Sequence, residues 1–112
     1  MTMNFNQTEN FAGNFKKLSK KYKSLPEDLI EFQKVITKYP LGTGKHFATL
    51  RVHEKISLVK ARLFCRYLRG SSLRLIYAWH EKKQLIEYIE IYFKGDQEIH
   101  DEKLIKSYLE DR

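Results

Sequence analysis

Residues 58–79 read LVKARLFCRYLRGSSLRLIYAW, and the folding of this stretch decides the rest. Two strand-like runs flank Gly70-Ser71-Ser72, which has the composition of a turn. A strand turns successive side chains to opposite faces. On the first run Lys60, Arg62 and Arg66 therefore share one face, with Phe64 between them, while Val59, Ala61, Leu63, Cys65 and Tyr67 share the other. Arg69 stands at the turn and Arg74 opens the return strand. The spacing predicts a ribbon anchored by its apolar face and presenting a row of cations on the other. Same-face neighbours lie roughly 6.6 Å apart, twice the rise per residue, a workable spacing for successive phosphates of a nucleic acid.

Downstream, Glu81-Lys82-Lys83-Gln84 reads as a polar turn. Residues 85–93, LIEYIEIYF, read as a third strand whose Ile, Tyr and Phe content implies burial on both faces and a central place in a sheet. Residues 101–111 form a last helix with Leu104, Ile105, Tyr108 and Leu109 on one side. Upstream, residues 3–8 make a short strand. A helix from Asn10 carries the stripe Phe11, Phe15, Leu18 and Tyr22, with Lys16, Lys17, Lys20 and Lys21 opposite. Ser24-Leu25-Pro26 breaks it. A second helix from Pro26 to about Lys38 carries Leu29, Phe32, Ile36 and Tyr39, and Pro40 ends it. Residues 41–55 are the least regular stretch. The fold class is α+β: a small, twisted, mostly antiparallel sheet with an N-terminal αα-hairpin and a C-terminal helix, in the order β-α-α-β-β-β-α. The helices are expected on one face of the sheet.

The 112 residues suit one domain spanning 1–112, and 42% hydrophobic content supports a packed core rather than disorder. No apolar run approaches a membrane span, and the N-terminus lacks the pattern of a secretory signal. One cysteine, Cys65, excludes an internal disulfide and fits a reducing cytosol. The net charge is +7, unevenly spread. Residues 1–40 carry +3, residues 41–80 carry +7, and residues 81–112 carry −3. A basic patch in the middle third is the electrostatic footprint of a nucleic-acid ligand. Gly42-Thr43-Gly44-Lys45 is not a phosphate-binding loop, because Tyr39 stands where the first glycine belongs and His46 where a Ser or Thr would bind magnesium. His46, His53, His80 and His100 show no metal-site spacing, so no metal or other cofactor is expected.

Taken together, several pieces carry a resemblance. They are the Lys-rich first helix, Lys60-Ala61-Arg62, the Gly-Ser turn, Leu73-Arg74-Leu75-Ile76-Tyr77, the strand ending Tyr92-Phe93-Lys94-Gly95-Asp96, and the C-terminal helix. In this order the chain resembles the RelE/ParE superfamily of toxins from type II toxin–antitoxin systems. The resemblance implies a toxin held inactive by a cognate antitoxin protein, as a monomer or a toxin–antitoxin hetero-oligomer, in the cytoplasm and away from membranes. The RelE branch implies an endoribonuclease that cuts mRNA with the ribosome as scaffold; the ParE branch implies a gyrase inhibitor instead. Lys60 and Arg62 match the family's strand cations, and Arg74 matches the arginine that opens its next strand. Lys94, Asp96 and His100 fall where a further polar or basic group lies, and Tyr108 corresponds to a tyrosine of the last helix. Ser72-Leu73 departs from the Gly-Tyr of many relatives. The longer run from Arg62 to Arg74 leaves Arg66 and Arg69 as alternatives to Arg62.

Metal-free RNA cleavage needs a deprotonated 2′-hydroxyl, cations on the phosphoryl oxygens and a proton for the leaving 5′-oxygen. Arg62 and Arg74 suit bidentate phosphate contact. Lys60, crowded by arginines, and Lys94 are candidate proton-transfer groups, and His100 suits acid–base work. Arg66 and Arg69 would position RNA. Each residue also has a plain structural alternative. The strand cations are then a solvated face, Arg74 pairs with Glu87 or Glu90, Lys94 sits in an ordinary turn, His100 merely starts a helix and Tyr108 is core. A non-catalytic RNA-binding domain is the corresponding alternative for the whole chain.

Overall fold

The computed structural model describes residues 2–69 and 71–111. Five strands form one sheet in the order β1-β5-β4-β3-β2. They are β1 (Asn4–Gln7), β2 (Phe47–His53), β3 (Ile56–Phe64), β4 (Ser72–His80) and β5 (Leu85–Phe93). β1 runs parallel to β5, and the other pairs are antiparallel. The helices are α1 (Glu9–Lys21), α2 (Leu25–Lys38) and α3 (Glu102–Glu110). The fold is α+β with a mostly antiparallel sheet. β5 lies between β1 and β4, the interior place its sequence implies. Among the described residues no helix is long and apolar enough to cross a membrane.

The two N-terminal helices cover one sheet face. Thr8 caps α1 by accepting a hydrogen bond from the Phe11 amide at 3.2 Å, and Phe11 stacks on Tyr88 at 5.0 Å between ring centroids. Leu25, Leu29, Phe32 and Ile36 of α2 join Val59, Ala61, Leu63, Leu73, Leu75 and Tyr77 in the same core. Tyr39, assigned by its spacing to that stripe, is exposed; it lies past the helix end, where the 3.6-residue period no longer holds.

Four features differ from the sequence expectation. First, residues 41–55 contain a strand, β2, which pairs with β3 across an irregularity between Thr49 and Arg51. It is an edge strand with mostly exposed side chains, so it carries little of the apolar alternation that marks a strand. Second, α3 packs on the opposite sheet face from α1 and α2. Ile105 and Tyr108 meet Leu58, Ile76, Ala78 and Ile89 there, so the sheet is sandwiched between helices. Third, the first run of the ribbon stops at Phe64, and Arg66–Leu68 form a 3-10 turn closed by Arg69 in the left-handed region at φ 46°. Gly70, read as the first turn residue, lies outside the described residues. Fourth, β5 has a bulge: Ile76 pairs with Glu90 while the adjacent Tyr77 pairs with Tyr88. The unpaired Ile89 shifts the alternation, so Ile89 and Glu90 both turn toward the α3 face.

Candidate functional site

The site lies where β3, β4 and β5 run out beyond the end of α3. On β3 Ile56, Leu58, Lys60 and Arg62 follow one another on the α3-facing side; Leu58 is buried under the helix, Lys60 is half-buried and Arg62 is exposed. Arg74 is the direct cross-strand partner of Arg62, and Tyr92 is the partner of Arg74. Lys94 follows the end of β5. Arg62, Ser72, Arg74, Phe93 and Lys94 line one cleft of about 370 Å³. Like charges set directly opposite on paired strands destabilise a sheet. Among the described residues, neither arginine has a carboxylate within ion-pairing distance, and neither Glu87 nor Glu90 pairs with Arg74. Instead the Arg74 Nη1 donates to the Ser72 hydroxyl at 2.8 Å, which steadies the guanidinium without neutralising it. A cleft with three cations and no countercharge is built for an anion.

Lys60 lies beside this cleft and is more buried than Arg62. Its Nζ lies 3.3 Å from His100 Nδ1 and 5.9 Å from the centroid of the Tyr92 ring. Burial, and then the charge of Arg74, hold its pKa below the ordinary lysine value, while Glu90 and Glu102 act against that shift. A lysine so placed can release and take up a proton nearer neutrality than a solvated one.

His100 is buried and stands just before Asp101, which caps α3 by accepting from the amides of Lys103 and Leu104. The bulge in β5 puts it there. Glu90, only 4% exposed, accepts from the Asp101 amide at 3.0 Å and from Gln97 Nε2 at 2.7 Å. These bonds draw the loop after Lys94 back over the sheet. The imidazole Nε2 lies 2.5 Å from Glu102 Oε1, and Arg51 of β2 pairs with the same carboxylate. The hydrogen bond from His100, with Arg51 adding to it and burial opposing it, holds Glu102 below the usual carboxylate range. The Tyr92 hydroxyl is buried with no hydrogen-bond partner among the described residues. Burial first, and then Glu90, push its pKa up against the pull of Arg74, so Tyr92 stays a neutral phenol.

The structure thus brings Lys60, Arg62, Arg74, Lys94 and His100 to one end of the sheet, with Lys94 on the cleft of Arg62 and Arg74 and the Lys60–His100 pair beside it. It does not bring Arg66, Arg69 or Tyr108 with them. Arg66 leaves the strand alternation because it sits in the 3-10 turn, where its Nε donates to Asp28 at 3.0 Å and its Nη2 to Glu27 at 2.8 Å. Arg69 lies near Ser24 and Tyr67 on that same side. Tyr108 is buried under α3, with its hydroxyl 2.5 Å from Glu87 and 2.6 Å from His80 Nε2. His80 is six residues along β4 from Arg74, roughly 20 Å away. Glu90, Tyr92, Glu102 and Arg51 were missed. Only Glu90 left a signal, a charge inside an otherwise apolar central strand.

The fold of the chain is the RelE fold. Over 85% of this chain and 98% of the other, a chain of the archaeal RelE–RelB complex from Pyrococcus horikoshii superposes with a TM-score of 0.63 at 21% identity. The E. coli toxin RelE, in a double arginine mutant in the free state, superposes over 88% of this chain and 90% of its own with a TM-score of 0.55 at 20% identity. No protein-family model and no curated protein sequence matches the chain.

Proposed function

We propose that this chain is the toxin of a toxin–antitoxin pair and an endoribonuclease that cuts mRNA on the ribosome in the cytoplasm. The observation that carries the reading is the Arg62–Arg74 pair, set opposite each other without a carboxylate and beside a lysine of lowered pKa. Arg62 and Arg74 hold the scissile phosphate. Lys60 takes the proton of the 2′-hydroxyl, whose oxygen attacks the adjacent phosphorus. The bond to the 5′-oxygen breaks, and Lys94, an ammonium on the cleft wall, gives that oxygen a proton. The products are a 2′,3′-cyclic phosphate and a 5′-hydroxyl. Each fixed cation that meets the developing charge contributes about 3 kcal/mol by analogy with oxyanion-hole donors. The partner is an antitoxin that covers the cationic face with acidic segments, as charge complementarity favours; the P. horikoshii neighbour is itself a complex of RelE with RelB.

The test is inducible expression in a bacterial host, with growth followed and RNA 5′ ends mapped. Growth arrest with new 5′ ends inside translated messages is expected. Arrest with intact messages and damaged DNA would move the chain to gyrase inhibition, and no arrest would leave a binding domain.

A further inference from the structure

Four side chains stand in line from the edge strand to the cationic cleft: Arg51 of β2, Glu102 in the first turn of α3, His100 before its cap, and Lys60 of β3. An ionised carboxylate only accepts hydrogen bonds. At 2.5 Å from Glu102 Oε1, His100 Nε2 must therefore be the donor. The neutral ring then carries its lone pair on Nδ1, which faces the Lys60 ammonium at 3.3 Å. The opposite tautomer would set two donors against each other at Nδ1 and leave two acceptors together at Nε2. Arg51 holds the carboxylate from its far side, so the ring cannot turn without breaking both contacts.

We infer that Glu102 and Arg51 are positioning residues that fix the His100 tautomer, so that Nδ1 receives the surplus proton of Lys60 and leaves the lysine a neutral amine. In the reaction, an Nζ–H bond of Lys60 breaks and an Nδ1–H bond of His100 forms. The resulting imidazolium is stabilised by Glu102, and the amine then takes the 2′-hydroxyl proton. The catalytic consequence rests on the ribonuclease reading, but the tautomer does not. The groups that face Lys60 are Arg74 from β4, Glu90 and Tyr92 from β5, and His100 and Glu102 at the start of α3. Glu102 favours the charged ammonium. Removing its charge weakens the hold of the Lys60–His100 pair on its positive charge, so the pair loses a proton to solvent at lower pH even as transfer within the pair is impaired.

Two readouts on the full chain test this. The first is ¹⁵N–¹H correlation of the His100 ring nitrogens in wild type and Glu102→Ala. The second is the pH profile of single-turnover cleavage of a defined message on purified ribosomes, in wild type, Glu102→Gln and Glu102→Asp. Wild type is expected to show Nε2–H with a bare Nδ1, and Glu102→Ala a mixture of tautomers. Glu102→Gln should cut about 100-fold more slowly, the upper end for loss of an orienting partner, with the rising limb of its profile moved to lower pH. Glu102→Asp, which keeps the charge, should return the limb toward wild type. A wild-type ring protonated on Nδ1 overturns the inference. So does a Glu102→Gln enzyme that slows with its limb unmoved, since that is the mark of a residue that only anchors α3. If wild type cuts nothing while its tautomer depends on Glu102, the orienting pair stands and the ribonuclease reading falls.

Discussion

The face of the sheet under α3 holds two clusters, each with a histidine and a glutamate, and they do opposite things. At one end His80, Tyr108 and Glu87 meet beneath the helix, with Tyr108 bonded to both of the others. At the other end Lys60, His100 and Glu102 meet where the helix begins. Each has a histidine, a carboxylate and a third polar group. The first is sealed, and its polar groups are bonded to one another. The second opens beside Arg62, Arg74 and Lys94, three cations with no carboxylate partner among the described residues. Chemistry is therefore expected where the countercharge is missing, and stability where it is complete.

Three substitutions separate the two ends, a fourth probes the opposite face, and the largest effects belong at the open end. Lys60→Arg keeps the charge and loses a group whose pKa burial and Arg74 hold below the ordinary lysine value. RNA binding should hold while cleavage drops by about 10²–10⁴-fold, the range for a lost proton-transfer group. Parallel loss of binding and cleavage, measured by filter binding and single-turnover kinetics, would make Lys60 a mere contact. Arg74→Ala should lower cleavage by about 10²–10³-fold without lowering thermal stability, because it also removes the repulsion with Arg62. A destabilised Arg74→Ala protein with wild-type cleavage would place the arginine in the fold and not in the site.

The same contrast explains what could be read from the residues. Period-two alternation assigned Lys60 and Arg62 to one face, but a turn at Gly70-Ser71-Ser72 would have set Arg74 opposite Leu68, and only the 3-10 turn brings it opposite Arg62. The alternation is a local property, which a sequence carries directly; the register is not. Arg66 was misplaced because alternation was extended beyond Phe64, and nothing local marks the start of a 3-10 turn whose anchor, Asp28, lies on another element. β5 is apolar on both faces, so its sequence could not say which helix covers which side, and the Ile89 bulge that aims Glu90 at Asp101 is a property of pairing. Glu102 meets Arg51 from the far half of the chain, a contact that no spacing rule reaches. Tyr108 is core, as its structural alternative had it, and lies away from the cationic cleft.

At the sealed end, Tyr108→Phe removes a hydroxyl and leaves His80 and Glu87 without that shared partner. Loss of about 1–3 kcal/mol of unfolding free energy is expected from buried polar groups so treated, read by urea denaturation, with cleavage per folded molecule unchanged. A fall in cleavage at wild-type stability would mean that the two clusters communicate through α3.

The smallest effect concerns the charge that the sequence misassigned. Asp28 is buried, and although burial raises its pKa, hydrogen bonds from Ser24, Arg66 and Cys65 outweigh it and hold the carboxyl below its ordinary value. A folded-state pKa below the unfolded one means that the unfolded chain binds more protons. The stabilisation is present above the unfolded value of about 3.9 and is lost as pH falls through the lower folded value. Asp28→Asn should therefore cost about 1–2 kcal/mol near neutrality, the scale of hydrogen bonds to a charged group, and progressively less in acid, where the wild-type carboxyl is neutral too. Denaturation series at neutral and acidic pH read the difference directly. If the cost is the same at both, the Arg66–Asp28 contact is a matter of shape, and Arg66 retains a charge that nothing in the fold requires.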